Sequence, residues 1–390
     1  MHIVVAPDSY KGSLSAVGVA QAMQRGLERI FPGARFTLLP IADGGEGTVE
    51  ALIAATHGTF CRHTVSDPLG RPIEAEWGIL GDGSSAVIEM AAASGLPLLA
   101  PAERDPRHTT TFGTGELIRA ALDHGLRRII LGIGGSATND GGAGMAQALG
   151  VRFLGADAQP LRVRGGADLL RVARIDISGL DPRLADCEII VACDVTNPLC
   201  GPEGASAVFG PQKGGTHAIL AELDAALAHY AELARLATGR DVATRSGAGA
   251  AGGLGAGMLF FTPATLRPGV NLVLDTLAFD HLVRDADFVV TGEGRTDFQT
   301  AFGKAPVGVA RAAKKHGVPV FCLSGGLGND ADDVLHHGID ALLSICDRPL
   351  SLEECCRNAS ELVEAAACRL ARLVHAARLI PGGSSACCTP

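Results

Sequence analysis

The chain has 390 residues, of which 47% are hydrophobic and 19% charged, and its formal net charge is −9. This length favours about two domains, each large enough to bury a hydrophobic core. The sequence contains no uncharged apolar run of about 18 residues, so we expect no membrane-spanning helix and no membrane partner. The negative charge, and the lack of a basic stripe with interleaved aromatic residues, argue against a nucleic-acid partner.

The cysteines and the N-terminus indicate the cellular compartment. Eleven cysteines are scattered along the chain without CxxC spacing, which is typical of reduced, packing cysteines rather than of zinc ligands or disulfides. The short apolar stretch 3–6 is followed at once by Pro7 and has no basic segment before it, which argues against a signal peptide. We therefore expect a cytoplasmic protein.

Both ends of the chain alternate between strand and helix patterns. Near the N-terminus, residues 3–6 and 36–41 have the pattern of strands, and residues 15–31 between them that of a helix. The last third repeats the alternation, with strands predicted at 288–291, 318–323 and 341–345 and helices predicted after Pro306, Asp332 and Ser351. Such alternation predicts a parallel sheet in an α/β fold.

The middle of the chain is less regular and richer in glycine loops. A turn-rich segment, 66–72, opens it, and residues 262–269 close it. We predict a discontinuous α/β domain formed by residues 1–70 and 280–380, with a second α/β domain inserted over residues 71–279. The last ten residues, 381–390, are small and polar, which predicts a disordered tail.

Polar loops follow the first two predicted strands. PDSYKGSLSA contains Asp8 and Lys11, and IADGGEGT contains Asp43, Gly44 and Gly45. Ligands bind at the carboxyl ends of strands in open α/β sheets, so these residues are candidates for a site. Turn formation alone also explains aspartates at such positions.

A glycine-rich loop follows the predicted strand 128–131. Its free N–H groups and polar side chains are typical of an anion cradle, formed by Gly134, Gly135, Ser136, Thr138, Asn139 and Asp140. The same loop also fits the loose pattern GxGxxA, with Asp157 about twenty residues further on, which leaves a nicotinamide-dependent oxidoreductase as an alternative. The sequence contains no GxxxxGK[ST] loop.

Two further candidates lie in the middle segment. The predicted strand 189–192 leads into CDVTNPL, which places Asp194 at its end with Asn197 nearby; this position suits acid–base chemistry. The turn GPQKG offers Gln212 and Lys213, a pair that could hold a phosphate or a carboxylate, although a solvated loop lysine is the ordinary alternative.

The segment VVTGEGRTDFQTAFGK interleaves acidic and basic groups after a predicted strand: Glu293, Arg295, Asp297, Gln299 and Lys304. Phosphoryl transfer needs carboxylates for magnesium, cations for the developing phosphate charge and a base near the acceptor hydroxyl. The loops together supply these parts, which favours a kinase over hydride transfer.

The sequence resembles the type 1 glycerate kinase family through seven blocks in the family's order: DSYKGSLSA, ADGGEGT, GIGGSATNDGG, ACDVTNPLCGP, FGPQKG, GAAGGLGAG and TGEGRTDFQTAFGK. The resemblance covers roughly residues 1–375. It implies an α/β fold with a flavodoxin-like parallel-sheet domain built from both chain ends and an inserted second α/β domain.

The resemblance also implies ATP-dependent phosphorylation of D-glycerate, usually giving 2-phosphoglycerate, with ATP and Mg²⁺ required. No motif shows which hydroxyl is phosphorylated, so glycerate 3-kinase regiochemistry stays open, and so does assembly into a homo-oligomer. Gly252 and Gly253 join the binding candidates through the block GAAGGLGAG. We predict Asp194 as the general base, Asp297 and Asp43 as carboxylates on the magnesium side, and Lys11 as a catalytic cation.

Overall fold

The computed structural model describes residues 1–380; the predicted tail, 381–390, lies outside the described residues. The strands are β1 His2–Val5, β2 Arg35–Leu38, β3 Thr59–Ser66, β4 Pro72–Ile79, β5 Ser85–Glu89, β6 Arg128–Gly132, β7 Arg152–Leu154, β8 Arg174–Asp176, β9 Glu188–Ala192, β10 Thr265–Arg267, β11 Phe288–Thr296, β12 Val320–Leu327 and β13 Ala341–Ser344. The helices are α1 Ala16–Glu28, α2 Thr48–Thr56, α3 Ala91–Ser94, α4 Phe112–Asp123, α5 Ala143–Ala148, α6 Ala205–Phe209, α7 His217–Thr238, α8 Ala250–Phe261, α9 Gly269–Thr276, α10 Phe279–Val283, α11 Ala305–Lys314, α12 Leu352–Arg357 and α13 Ala359–Leu379.

The chain folds as two compact units. Within the described residues, the first consists of residues 1–42, 50–55 and 273–380, and the second of residues 43–49 and 56–272. Both units are mixed α/β structures with a central sheet, as predicted for the fold class. None of the helices within residues 1–380 is both long and apolar enough to cross a membrane.

The first unit contains a five-stranded sheet in the order β2-β1-β11-β12-β13. Every neighbouring pair is parallel, which confirms the predicted parallel sheet. This is the flavodoxin-like strand order, in which the second strand is added on one side of β1 and the later strands are added on its other side. The switch point therefore lies between β1 and β11.

Helices α1 and α13 cover one face of this sheet. Helix α1 begins after Ser15, whose Oγ accepts a hydrogen bond from the Gly18 N–H at 3.3 Å, a regular N-cap. Its apolar face buries Val19, Met23 and Leu27 against the sheet and α13. The predicted helix 15–31 is confirmed, shortened at its C-terminal end.

The second unit contains a six-stranded sheet in the order β10-β9-β6-β5-β4-β3. Strands β5, β6, β9 and β10 run parallel, whereas β3 and β4 form an antiparallel hairpin. The turn-rich segment 66–72, which suggested a domain limit after residue 70, closes this hairpin. The hairpin lies in the same compact unit as the middle of the chain, so this unit begins earlier than the predicted limit.

Two other elements differ from the sequence prediction. The strand predicted at 288–291 continues to Thr296, because Gly292, Glu293 and Arg295 pair with β12. The helix predicted after Asp332 is a short 3₁₀ segment, Ala331–His337, that ends at Gly338 in a left-handed conformation.

Candidate functional site

At the switch point of the first unit, the loop after β1 lies against the C-terminal half of β11, residues 292–296. The Asp8 N–H donates to the Gly292 carbonyl at 2.8 Å. A Cβ added to Gly294 would lie 3.2 Å from the Tyr10 Cα and 3.3 Å from the Lys11 N. The half-buried Asp8 and the exposed Lys11 therefore lie beside the GEGRT segment, residues 292–296, a neighbour that the sequence did not predict for them.

Glu293 lies inside the first unit rather than on its surface. Its carboxylate accepts hydrogen bonds from the hydroxyls of Thr300 at 2.7 Å and Thr296 at 2.9 Å. Burial raises the pKa of Glu293, and the two hydroxyls and the Lys304 ammonium oppose this shift. Glu293 thus holds the connection after β11 to the strand and is only 6% exposed; its role as a binding residue stays a prediction.

Asp297 organises the charged groups that follow β11. Its Oδ1 accepts a hydrogen bond from the Gln299 N–H at 3.0 Å and caps the 3₁₀ turn Phe298–Phe302. Arg295 Nε lies 3.6 Å from the Asp297 carboxylate, and Lys304 Nζ lies 4.0 Å from it. The exposed Gln299 and the two cations therefore surround one carboxylate, as the interleaved sequence pattern indicated.

In the second unit, Asp194 and Asp43 are electrostatic neighbours. Asp194 Oδ1 accepts a hydrogen bond from the Gly269 N–H at 2.8 Å, and Asp43 Oδ1 accepts one from the Gly45 N–H at 3.1 Å. Asp194 lies at the surface, yet enough protein surrounds its carboxyl that lost hydration raises its pKa. The Gly269 N–H opposes this rise in pKa, and the Asp43 carboxylate adds to it. A raised pKa brings a carboxylate closer to the range that suits a general base.

Close backbone packing explains several of the glycines around these aspartates. A Cβ at Gly44 would lie 2.3 Å from the Ala192 Cβ, and one at Gly134 would lie 2.8 Å from the Gly45 Cα. A Cβ at Gly269 would lie only 1.8 Å from the Asp43 carbonyl oxygen. The loop 43–47 therefore lies directly on the carboxyl ends of β6 and β9, and these contacts with the chain's own atoms account for the glycines without a ligand.

The polar residues of the loop after β6 are mostly interior. Thr138, Asn139 and Asp140 have no exposed surface, and Ser136 is 8% exposed, whereas Gly135 lies at the surface. Asp140 accepts hydrogen bonds from the Thr111 N–H and hydroxyl, and from the N–H groups of two glycines that precede or begin α5. The buried side chains are therefore not an open anion cradle, which corrects that part of the prediction.

This loop also fails to form a dinucleotide-binding turn. Ten residues separate the end of β6 at Gly132 from the start of α5 at Ala143. The nicotinamide-binding motif needs the helix to begin within the glycine turn, so that its N-terminus faces the pyrophosphate. The alternative of a nicotinamide-dependent oxidoreductase loses its structural support.

Lys213 is buried, although the sequence predicted either a ligand-binding lysine or a solvated loop lysine. It is 1% exposed, and its Nζ donates to the Thr138 carbonyl at 2.7 Å. Burial lowers its pKa to about 7, and the Asp140 carboxylate opposes this shift. Lys213 therefore contacts the loop after β6 from inside, while its neighbour Gln212 is exposed.

The remaining predicted residues also have structural contacts. Asn197 Nδ2 donates to the Glu203 carbonyl at 2.8 Å. Gly252 and Gly253 both have positive φ at the kinked start of α8, and a Cβ at Gly252 would lie 1.9 Å from the Thr138 carbonyl oxygen. These two glycines let α8 approach the loop after β6 closely.

A carboxylate at the end of β5 was not among the residues predicted from the sequence. Glu89 is half-buried and accepts a hydrogen bond from the Val49 N–H at 2.8 Å. Burial raises its pKa, the Val49 N–H opposes the shift, and the Glu46 carboxylate adds to it. Glu89 could have been found from the sequence, because it stands at the end of an apolar strand, and Asp194 was selected as a candidate for that reason.

Comparisons with known proteins agree with the seven sequence blocks. The model of the Glycerate kinase family matches residues 3–375. Glycerate 2-kinase from Escherichia coli K12 is 52% identical over 96% of this chain and 97% of its own length. Glycerate kinase from Bacillus subtilis 168 is 52% identical over 97% of this chain and 99% of its own length.

A solved structure supports the same conclusion. The crystal structure of a protein named glycerate kinase 2 from Salmonella typhimurium LT2 has a TM-score of 0.88 and 51% sequence identity to this chain. The match covers 97% of this chain and 100% of that protein. This chain therefore belongs to the glycerate kinase family and is a kinase enzyme.

Proposed function

We propose that this kinase transfers the γ-phosphoryl group of ATP to D-glycerate and releases 2-phosphoglycerate and ADP. The observation that carries the proposal is the similarity, over nearly the whole chain, to the Escherichia coli protein named Glycerate 2-kinase. The choice of the 2-hydroxyl rests on that name, and the acidic and basic groups at the strand ends support phosphoryl transfer.

Asp194 is the proposed base for the attacking hydroxyl. It lies at the start of the loop that follows β9, two residues after the strand ends, and its orientation is fixed by the Gly269 N–H. The raised pKa means that its carboxylate holds a proton more readily than an ordinary aspartate does. Asp194 can thus accept the proton as the oxygen attacks phosphorus.

The proposed phosphate ligands are the cations of the first unit. Lys11 is exposed beside the end of β11, and Arg295 and Lys304 are grouped around Asp297. Lys304 is also the N-cap of α11, and the free N–H groups of a helix N-terminus favour anions. These groups supply positive charge locally, against the net charge of −9.

The carboxylates fit magnesium unequally. No group of three or more His, Cys, Asp or Glu in residues 1–380 is placed to hold a metal ion, but Mg²⁺ is commonly held by one or two carboxylates together with phosphate and water oxygens. When bound, Mg²⁺ neutralises charge on the phosphates. Asp43 fits this role because the group with which it interacts electrostatically, Asp194, is also an acid. Asp297 fits less well, since two cations already offset its charge.

The reaction is tested by incubating the purified protein with D-glycerate, ATP and Mg²⁺ and identifying the product by ³¹P NMR. We expect ADP and a phosphate ester on the 2-hydroxyl. An ester on the 3-hydroxyl would refute the proposed regiochemistry and leave the kinase intact. Reduction of NAD without ATP consumption would refute the kinase reaction itself.

Two further expectations go with this function. A cytoplasmic location matches the supply of ATP and remains a prediction from the sequence. The proposed small-molecule partners are D-glycerate and ATP. Whether the chain assembles into a homo-oligomer is decided by measuring its molecular mass in solution.

A further inference from the structure

Two phenylalanines in the connection after β11 are exposed to solvent. Phe298 is 47% exposed and Phe302 is 85% exposed. Both belong to the 3₁₀ turn that Asp297 caps, four residues apart in the chain. Large apolar rings held together at a surface commonly mark a binding site, because exposing them to water is unfavourable.

The two rings line a cavity of about 490 Å³, a size typical of small-molecule sites. Ala301 completes its apolar wall, and the opposite wall comes from α11 and the 3₁₀ segment Ala331–His337. That wall is polar and contributes Arg311, Asp333, His336 and His337. The cavity therefore combines aromatic faces with hydrogen-bond donors and one carboxylate.

The same connection carries the cations proposed to hold phosphate. Arg295 precedes the 3₁₀ turn and Lys304 follows it, and both approach Asp297 within 4.0 Å. All of these residues lie in the first unit, at or after the carboxyl ends of β11 and β12. A flat aromatic surface next to a cationic segment complements a molecule with a flat base and an anionic tail.

We propose that this cavity is the nucleobase subsite for ATP, with the purine ring against Phe298 and Phe302. The inference rests on the proposed function and adds to it the residues that select the donor. Stacking on an aromatic side chain is available to any base, and Arg311 and Asp333 supply a donor and an acceptor for the base edge or the ribose. The phosphates then extend toward Lys304 and Arg295.

The test uses the full chain and the variants Phe298→Ala, Phe302→Ala and the double variant. Loss of one stacked ring is expected to raise the KM for ATP about tenfold, with the KM for D-glycerate and the kcat unchanged. Phe60→Ala is the matched control, because Phe60 is 45% exposed and lies in the other unit; it should leave all constants unchanged. An unaltered KM for ATP in the double variant would overturn the subsite.

A binding measurement separates this inference from the proposed reaction. By calorimetry, ADP should bind the double variant about tenfold or more weakly than the wild type, whereas inorganic tripolyphosphate, which has no base, should bind both equally. If wild-type protein makes phosphoglycerate but the double variant binds ADP normally, the subsite is wrong and the kinase reaction stands. If ADP binding falls as expected but the wild type makes no phosphoglycerate, the base site stands and the reaction is wrong. Self-association of the wild type that is lost in the double variant, with ADP affinity unchanged, would assign the rings to a protein contact and overturn the proposal.

Discussion

Replacing Lys213 by methionine should change how the stability of the second unit depends on pH. Lys213 is 1% exposed and its Nζ contacts the Thr138 carbonyl. Burial lowers its pKa from 10.5 to about 7. Methionine retains the unbranched, apolar stem but removes the titrating group.

The sign and size of the effect follow from that pKa shift. The folded protein releases the Lys213 proton near pH 7, while the unfolded chain keeps it until about pH 10.5. Between these values the unfolded state binds more protons, so the free energy of unfolding rises with pH. The slope from this group is about 1.4 kcal/mol per pH unit, and the total over the whole window is about 5 kcal/mol. Below pH 7 both states are protonated and the slope from Lys213 vanishes.

Trp77 is the only tryptophan in the sequence and lies in the core of the same unit, so its fluorescence reports unfolding there. Urea unfolding should be compared at several values between pH 7.5 and 9.5 in wild type, Lys213→Met and a control, Lys315→Met, at an exposed lysine. The wild type and the control should gain stability relative to Lys213→Met by about 1.4 kcal/mol per pH unit. Titrating groups common to all three proteins cancel in this difference. Parallel stability curves for wild type and Lys213→Met would refute the assigned burial of the ammonium group.

Four other substitutions test the proposed site and its support. Asp194→Asn should lower kcat by about 100- to 10,000-fold at every magnesium concentration while ATP still binds. Asp297→Asn should recover part of its activity as magnesium is raised if Asp297 holds the metal despite its two cationic neighbours. No rescue would leave Asp43 as the magnesium carboxylate, and rescue of Asp194→Asn instead would exchange the roles of Asp194 and Asp297. Lys11→Met should raise a KM or lower kcat without changing the urea midpoint, and wild-type kinetics would make Lys11 an ordinary surface lysine. Asp140→Ala should lower the free energy of unfolding by about 3–5 kcal/mol, because it leaves buried N–H and hydroxyl donors without an acceptor; an unchanged Trp77 transition would contradict this.

The fold could be predicted where apolar periodicity was regular. Strands β1, β6 and β9 are short apolar runs, and α1 has a clear N-cap and an amphipathic face, so their patterns were sufficient. The C-terminal half of β11 was not predicted as a strand, because residues 292–295 have low strand propensity. Its extended form depends on pairing with β12, a contact more than thirty residues away that local sequence does not reveal.

The glycine pattern led to the right regions but to an incomplete interpretation. A glycine permits close approach by any group, and the sequence does not say whether that group is a ligand or the chain's own backbone. At Gly44 and Gly134 the approaching groups are Ala192 and Gly45. The loop 43–47 was thus correctly expected at the strand ends, while the reason for its glycines is internal packing.

The charge of a residue predicted its function less well than the glycine pattern did, because the sequence does not show whether a charged side chain is buried or exposed. In the turn GPQKG, Gln212 is exposed and the adjacent Lys213 is fully buried, although both had been predicted as ligands. The neighbours that decide the behaviour of Lys213, Thr138 and Asp140, lie more than seventy positions earlier in the chain. A loss of activity in Lys213→Met would therefore not identify a lost phosphate ligand, because the same change removes the hydrogen bond that holds the loop after β6. Only a variant that changes ligand binding without changing the unfolding of the Trp77 core can assign a residue to the site, and by that criterion Lys11 is the better test of a phosphate-binding lysine.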